Sequence, residues 1–223
     1  MNKKKVLLVV LAMVMVCALS IMGTMALLTQ QGGSVTNTFV SAITDADEFV
    51  DNFEIKEYKA NADDKGNYTL DTNVEVNANT YNVVPGISLA KDAFVKLSRT
   101  NETPAYLFIE VDNNMAADVF TMNVDTTVWC KLDGVTGPHG GQVYVLGTAG
   151  APTVLTAVNN GVYHIIDGNK VLVQDVNDLK ITQTTADTIV FYAYFCQATV
   201  ADTNGNNTSD PAAVYGICFP GNP

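Results

Sequence analysis

The sequence predicts an all-β protein: an antiparallel β-sandwich of jelly-roll or immunoglobulin-like type, with at most short helical insertions. Three observations carry this. Short runs rich in Val, Ile, Thr, Tyr and Phe alternate with clusters of Gly, Asn, Asp and Pro, the pattern of strands and turns. Hydrophobic residues make up 48% of the 223 and charged residues 16%, which excludes the low-hydrophobicity, high-charge composition of a disordered chain. Helical periodicity is weak, with 115–120 and 177–179 each able to hold one short turn.

The elements follow in order. Residues 34–43 read as a first strand and 53–58 alternate well. Asp63-Asp64-Lys65-Gly66-Asn67 is turn chemistry leading into a strand at 68–76. Runs at 94–97 and 106–111 flank a hairpin or corner ending at Pro104. Runs at 128–132 and 143–146 flank a loop holding Gly134, Gly137, Pro138, Gly140 and Gly141. Asp167-Gly168-Asn169, between runs at 162–166 and 170–173, is the strongest hairpin signal. Residues 189–196 are apolar on both faces, as a central strand requires. With no internal repeat and no Pro/Ser linker, residues 27–223 read as a single domain.

Residues 1–26 read as a signal peptide. Lys3-Lys4-Lys5 forms a basic start, 6–22 is apolar apart from Ser20, and small residues follow. Thr24 at minus three and Ala26 at minus one suit a signal peptidase, leaving Leu27 as the first mature residue. The alternative is a retained membrane anchor, but the polar stretch 29–33 favours cleavage. The expected location is therefore outside the cell, in the medium, matrix or surface.

The formal net charge is -11, from 12 basic and 23 acidic residues. Such a balance excludes nucleic-acid binding through a basic surface. Three of the basic residues lie in the leader, so the mature body is more acidic still. Its cysteines are Cys130, Cys196 and Cys218. An odd number cannot all pair within one chain; a Cys196–Cys218 bridge and buried free thiols both fit.

The sequence points to no enzyme. The two histidines, His139 and His164, stand too far apart for the His-Glu-x-x-His of a zinc protease. No Gly-x-Ser-x-Gly elbow and no phosphate-binding glycine loop is present. Cys130 beside Trp129, and Cys196 in an aromatic run, read as core residues. No cofactor or metal site is expected. Asp202, Asn204, Asn206, Thr208 and Asp210 do fall at calcium-loop spacing, but Asn207 replaces the needed Gly and Ala213 the bidentate Glu. The stretch reads as a solvated polar loop, a weak calcium site being the alternative.

Four segments carry a family resemblance. The first is Gly23-Thr24-Met25-Ala26-Leu27-Leu28-Thr29 followed by Val35-Thr36-Asn37-Thr38-Phe39. The second runs from Asn79-Thr80-Tyr81-Asn82-Val83-Val84-Pro85-Gly86 through Lys91-Asp92-Ala93-Phe94-Val95 to Ala105-Tyr106-Leu107-Phe108-Ile109-Glu110-Val111. Trp129 with Val143-Tyr144-Val145 is the third, and Val190-Phe191-Tyr192-Ala193-Tyr194-Phe195-Cys196-Gln197-Ala198 the fourth. In this order they resemble the SipW-dependent TasA/camelysin proteins, surface and biofilm-matrix proteins of Gram-positive bacteria; members often carry Pro where Ala93 stands. The resemblance implies a jelly-roll-like sandwich, signal removal by a SipW-type peptidase, and a place in extracellular fibres or on the cell surface. Camelysin-like members are classed as metalloproteases, but without His-Glu-x-x-His that activity has no physical basis here.

The expected function is therefore a non-enzymatic matrix or surface protein whose main partner is itself. A strand can satisfy the open sheet edge of a neighbouring chain, and residues 27–43 are the candidate donor, pairing within their own sheet being the alternative. A monomeric adhesin, stabilised by calcium at the Asp202 loop, is the second reading.

Overall fold

The computed structural model describes residues 29–34, 52–99, 103–156, 159–174 and 187–220. Among the described residues the fold is all-β, with antiparallel pairing and one short α-helix. The principal sheet runs in the order β1 (Thr29–Ser34), β13 (Ile189–Gln197), β6 (Ala105–Asn113) and β9 (Gln142–Thr148), and both β8 (Trp129–Thr136) and β10 (Ala151–Pro152) pair with β9. A second sheet has the order β11 (Asn159–His164), β5 (Ala93–Arg99), β2 (Asn52–Ala62) and β3 (Tyr68–Val76).

The two sheets pack face to face. Ile55, Val95 and Leu97 from the second sheet meet Leu107, Ile109, Phe191 and Phe195 from the first in one buried cluster. Trp129 lies in the same cluster with no exposed surface, and its indole N–H donates to the His164 carbonyl at 2.7 Å. That bond satisfies the polar end of a side chain chosen for its apolar bulk.

β6 and β13 are buried on both faces, as the apolar runs predict, because the principal sheet carries a further layer on its other side. That layer is a hairpin, β14 (Val200–Ala201) with β15 (Asn207–Thr208), and the helix α1 (Pro211–Cys218). Asp210 caps the helix by accepting the Ala213 N–H at 2.9 Å, and Pro211 sits in the first turn, where no N–H is needed. Val214 and Tyr215 face the sheet, with Tyr215 and the following Phe219 ringed around Phe108 and Tyr194. A third, small sheet of β4 (Ser88–Ala90), β12 (Lys170–Val173) and β7 (Phe120–Thr121) closes a separate core of Leu89, Val119, Phe120, Val171 and Val173.

Several expectations need correction. The first described strand is 29–34, which the sequence does not predict; of the strand expected at 34–43, residues 35–43 lie outside the described ones. Residues 115–120 form turns leading into β7 rather than helix, 177–179 lie outside the described residues, and 211–218 form a helix that the sequence does not predict. Asp167-Gly168-Asn169 does turn, with Gly168 and Asn169 both at positive φ, but it joins no hairpin. β11 pairs with β5 while β12 pairs with β4 and β7. Ile165 and Ile166, both buried, divert the chain into the core, where the Ile165 N–H reaches the Ala93 carbonyl. The stretch before β6 is a corner, since β5 and β6 belong to different sheets.

Candidate functional site

The end of the principal sheet is the feature that bears on assembly. β1 has the sequence Thr-Gln-Gln-Gly-Gly-Ser and pairs antiparallel with β13, Thr29 opposite Cys196 and Gln31 opposite Tyr194, with an irregularity between Gly32 and Ser34. It is the outermost strand, and β13 is its strand partner. Polar, glycine-bearing strands specify their register weakly. Its partner Ile-Val-Phe-Tyr-Ala-Tyr-Phe-Cys-Gln is the opposite: β-prone and buried on both faces. Covered by β1, this edge is closed; uncovered, it is a row of free backbone donors and acceptors flanked by aromatic side chains. Residues 29–34 thus pair within their own sheet here. The signal residues Thr24, Ala26 and Leu27 lie outside the described residues.

Beside this edge, on the face of β13 away from the sandwich core, lies a buried polar cluster. Glu110 on β6 has no exposed surface. Its Oε1 accepts the backbone N–H groups of His139 and Gly141, each at 2.9 Å, and its Oε2 accepts the Tyr194 hydroxyl at 2.6 Å. The His139 Nδ1 stands 3.1 Å from the same Oε2, and its ring stacks on Tyr192 with centroids 3.6 Å apart. Burial, with the Glu110 hydrogen bond second, drives the Tyr194 hydroxyl far above the ordinary tyrosine range, so it remains a neutral donor. The loop closes this tightly because residue 137 is glycine: a Cβ there would fall 2.1 Å from the Glu110 carboxyl carbon.

Two more polar pairs, each built on a buried carboxylate, flank the junction of the second and third sheets. Lys91 reaches Glu57 at 2.5 Å, both almost fully buried, and the Glu57 Oε1 meets no donor. The neighbouring Asp92 turns the other way, to His164 Nδ1 at 2.7 Å. Sequence reasoning read the histidines only as failed protease ligands and passed over Glu57, Glu110, Lys91 and Asp92. Glu110 had a visible signal, a lone charge inside an apolar run.

Each histidine is thus oriented by a buried carboxylate through Nδ1, an arrangement that fixes a ring. Among the described residues, no group of three or more His, Cys, Asp or Glu side chains is placed to hold a metal ion. The Asp202 stretch is the turn of the β14–β15 hairpin. Asp202 Oδ1 accepts the N–H groups of Asn204 and Asn206 at 2.8 Å, and Oδ2 the Asn206 amide. Those bonds hold the Asp202 carboxyl below its usual value. The Asp202 carboxylate is thus the acceptor that closes this turn, and Asp210 caps the helix. Asp63 closes its turn on Lys65 and Asn67 in the same way.

Of the cysteines, Cys196 and Cys218 form a disulfide joining β13 to the end of α1, and Cys130 is a buried free thiol. No protein-family model matches the chain, and neither a curated protein nor a solved structure matches it.

Proposed function

We propose that the chain is an exported, non-enzymatic structural protein of the cell surface or extracellular matrix, similar to the TasA/camelysin group, that assembles into fibres by strand addition. Residues 1–26 are its leader, a SipW-type signal peptidase its partner during export, and the sandwich is of jelly-roll type. One observation carries the assembly reading: a polar six-residue end strand covers a β13 edge that is apolar on both faces. β1 is the part most easily lent, and the edge beneath it is the part that most needs covering. If β1 of one molecule pairs with β13 of the next, the contact is head-to-tail and does not close, which gives a filament.

The test is negative-stain microscopy of the exported protein, concentrated with and without calcium. Regular filaments are expected, and a variant lacking residues 29–34 should form none. Persistently monomeric particles would move the reading to a surface binding module. Filaments unchanged by the deletion would sink strand addition.

A further inference from the structure

We infer that the C-terminal segment is a redox-operated clasp on the acceptor strand: closure of the Cys196–Cys218 disulfide holds β13 in the state that retains β1, and opening it releases β1. Cys196 sits in β13, paired on one side with Thr29 of β1 and on the other with Tyr106 of β6. Its partner is the last residue of α1. An eight-residue helix has no stability of its own in water, so α1 stays only because its packing holds it. That packing includes Val214, Tyr215 and Phe219 on Phe108 and Tyr194, contact with β8, the Tyr106 hydroxyl bond to the Ser209 carbonyl at 2.9 Å, and the disulfide. When the sulfur bond opens, the covalent part of this attachment goes and the aromatic cover can lift. The face of β13 that carries Tyr194 and Cys196 is then exposed. β1, with four polar residues, two glycines and β13 as its strand partner, is the element that yields first.

The two sulfurs differ in access. Cys196 is 1% exposed, whereas Cys218 is half-buried at the end of the helix. The exchange therefore runs through Cys218. On closing, the Cys218 thiolate attacks an external disulfide, of a small molecule or an oxidoreductase, and displaces one thiol. The Cys196 thiolate then attacks Sγ of Cys218 in the mixed disulfide and displaces the second thiol. Two electrons and two protons pass to the oxidant, which leaves as two thiols. A dithiol or phosphine reverses the change. The coupling between clasp and strand stands on the geometry alone; only its consequence for filaments rests on strand addition.

Hydrogen exchange read by mass spectrometry decides it, on the protein expressed with its own leader and purified from the exported fraction, oxidised and then reduced with a phosphine. Reduction should speed exchange at 30–34 about tenfold or more, while β2 and β5 in the far sheet hold their protection. Unchanged exchange at 30–34 would overturn the clasp, as would equal acceleration in both sheets, which would make the disulfide a general staple. The Cys196→Ala/Cys218→Ala double variant should show the released state without reductant, and Cys130→Ala should keep the full response. Should the double variant not fold, reduction of the unaltered chain still decides. If β1 is released and no filament forms, strand addition fails and the clasp stands.

Discussion

Glu110 shows what a single carboxylate can organise when it is buried and fully partnered. Its four contacts tie a glycine loop, a histidine ring and a tyrosine on the next strand into one unit. Gly137→Ala should therefore destabilise the fold by about 1–3 kcal/mol, because the added methyl overlaps the Glu110 carboxyl and neither group has room to retreat. Urea denaturation measures this directly, and a variant as stable as the parent would show the loop can move aside. The Lys91–Glu57 pair behaves differently. Lys91→Met strands a buried carboxylate that already has one unpartnered oxygen, at a cost of about 3–5 kcal/mol. Replacing both partners, Lys91→Met with Glu57→Leu, should restore most of that loss, since the charge no longer needs a partner. A double variant as unstable as the single one would mean the pair itself fixes the packing there.

At the scale of elements, the sequence was legible where periodicity decides and opaque where pairing decides. The runs at 53–58, 68–76, 106–111 and 189–196 all fall within strands, because alternation and β-branched or aromatic content report burial directly. Asp167-Gly168-Asn169 carries the backbone geometry its residues imply, yet its flanking strands diverge. Turn chemistry fixes a reversal of the chain, not which strand lies beside it; two buried isoleucines settled that. β1 could not have been found, since nothing in Thr-Gln-Gln-Gly-Gly-Ser favours a strand except the edge it covers. The helix was missed because it is short and its apolar residues serve a layer the sandwich expectation did not include. It nevertheless opens on a standard signal, Asp before Pro. Asp210→Ala should cost about 1 kcal/mol, read as a lower melting temperature. No change would show that the Cys196–Cys218 tether and the aromatic packing alone seat the helix.

Over the whole molecule, two buried tyrosines and the partly buried Tyr81 make stability sensitive to alkali. Burial, the largest cause in each case, raises Tyr81, Tyr194 and Tyr215 above the ordinary value of 10.0. A folded value above the unfolded one means their contribution is fully present below pH 10 and is lost as pH climbs toward the folded values. Denaturation at stepped pH, with tyrosinate absorbance followed alongside, should show surface tyrosines ionising first and these three only as the fold gives way. Tyrosines that all ionise together in the folded protein would contradict their burial. The candidate site was legible only in part: residues 27–43 were singled out as a donor, whereas 29–34 pair within their own sheet, the alternative reading, and the acid–histidine pairs were not foreseen. Their partners lie far apart in the chain, Glu110 with His139 and Asp92 with His164, and only the topology brings them together.

The register of the first strand also sets a timetable. Thr29 is opposite Cys196, so one of the earliest segments to be synthesised waits for one of the last. Pairings this distant close late, because the entropy of a long loop must be overcome before the contact rewards it. For a chain threaded outward from its N-terminus, β1 is outside and unoccupied throughout that interval. If the chain is exported as proposed and many copies emerge together, β1 of an earlier arrival and β1 of the same chain would compete for a β13 edge that has just formed. Local crowding at the export site, rather than bulk concentration, would then decide whether a molecule completes itself or joins its neighbour.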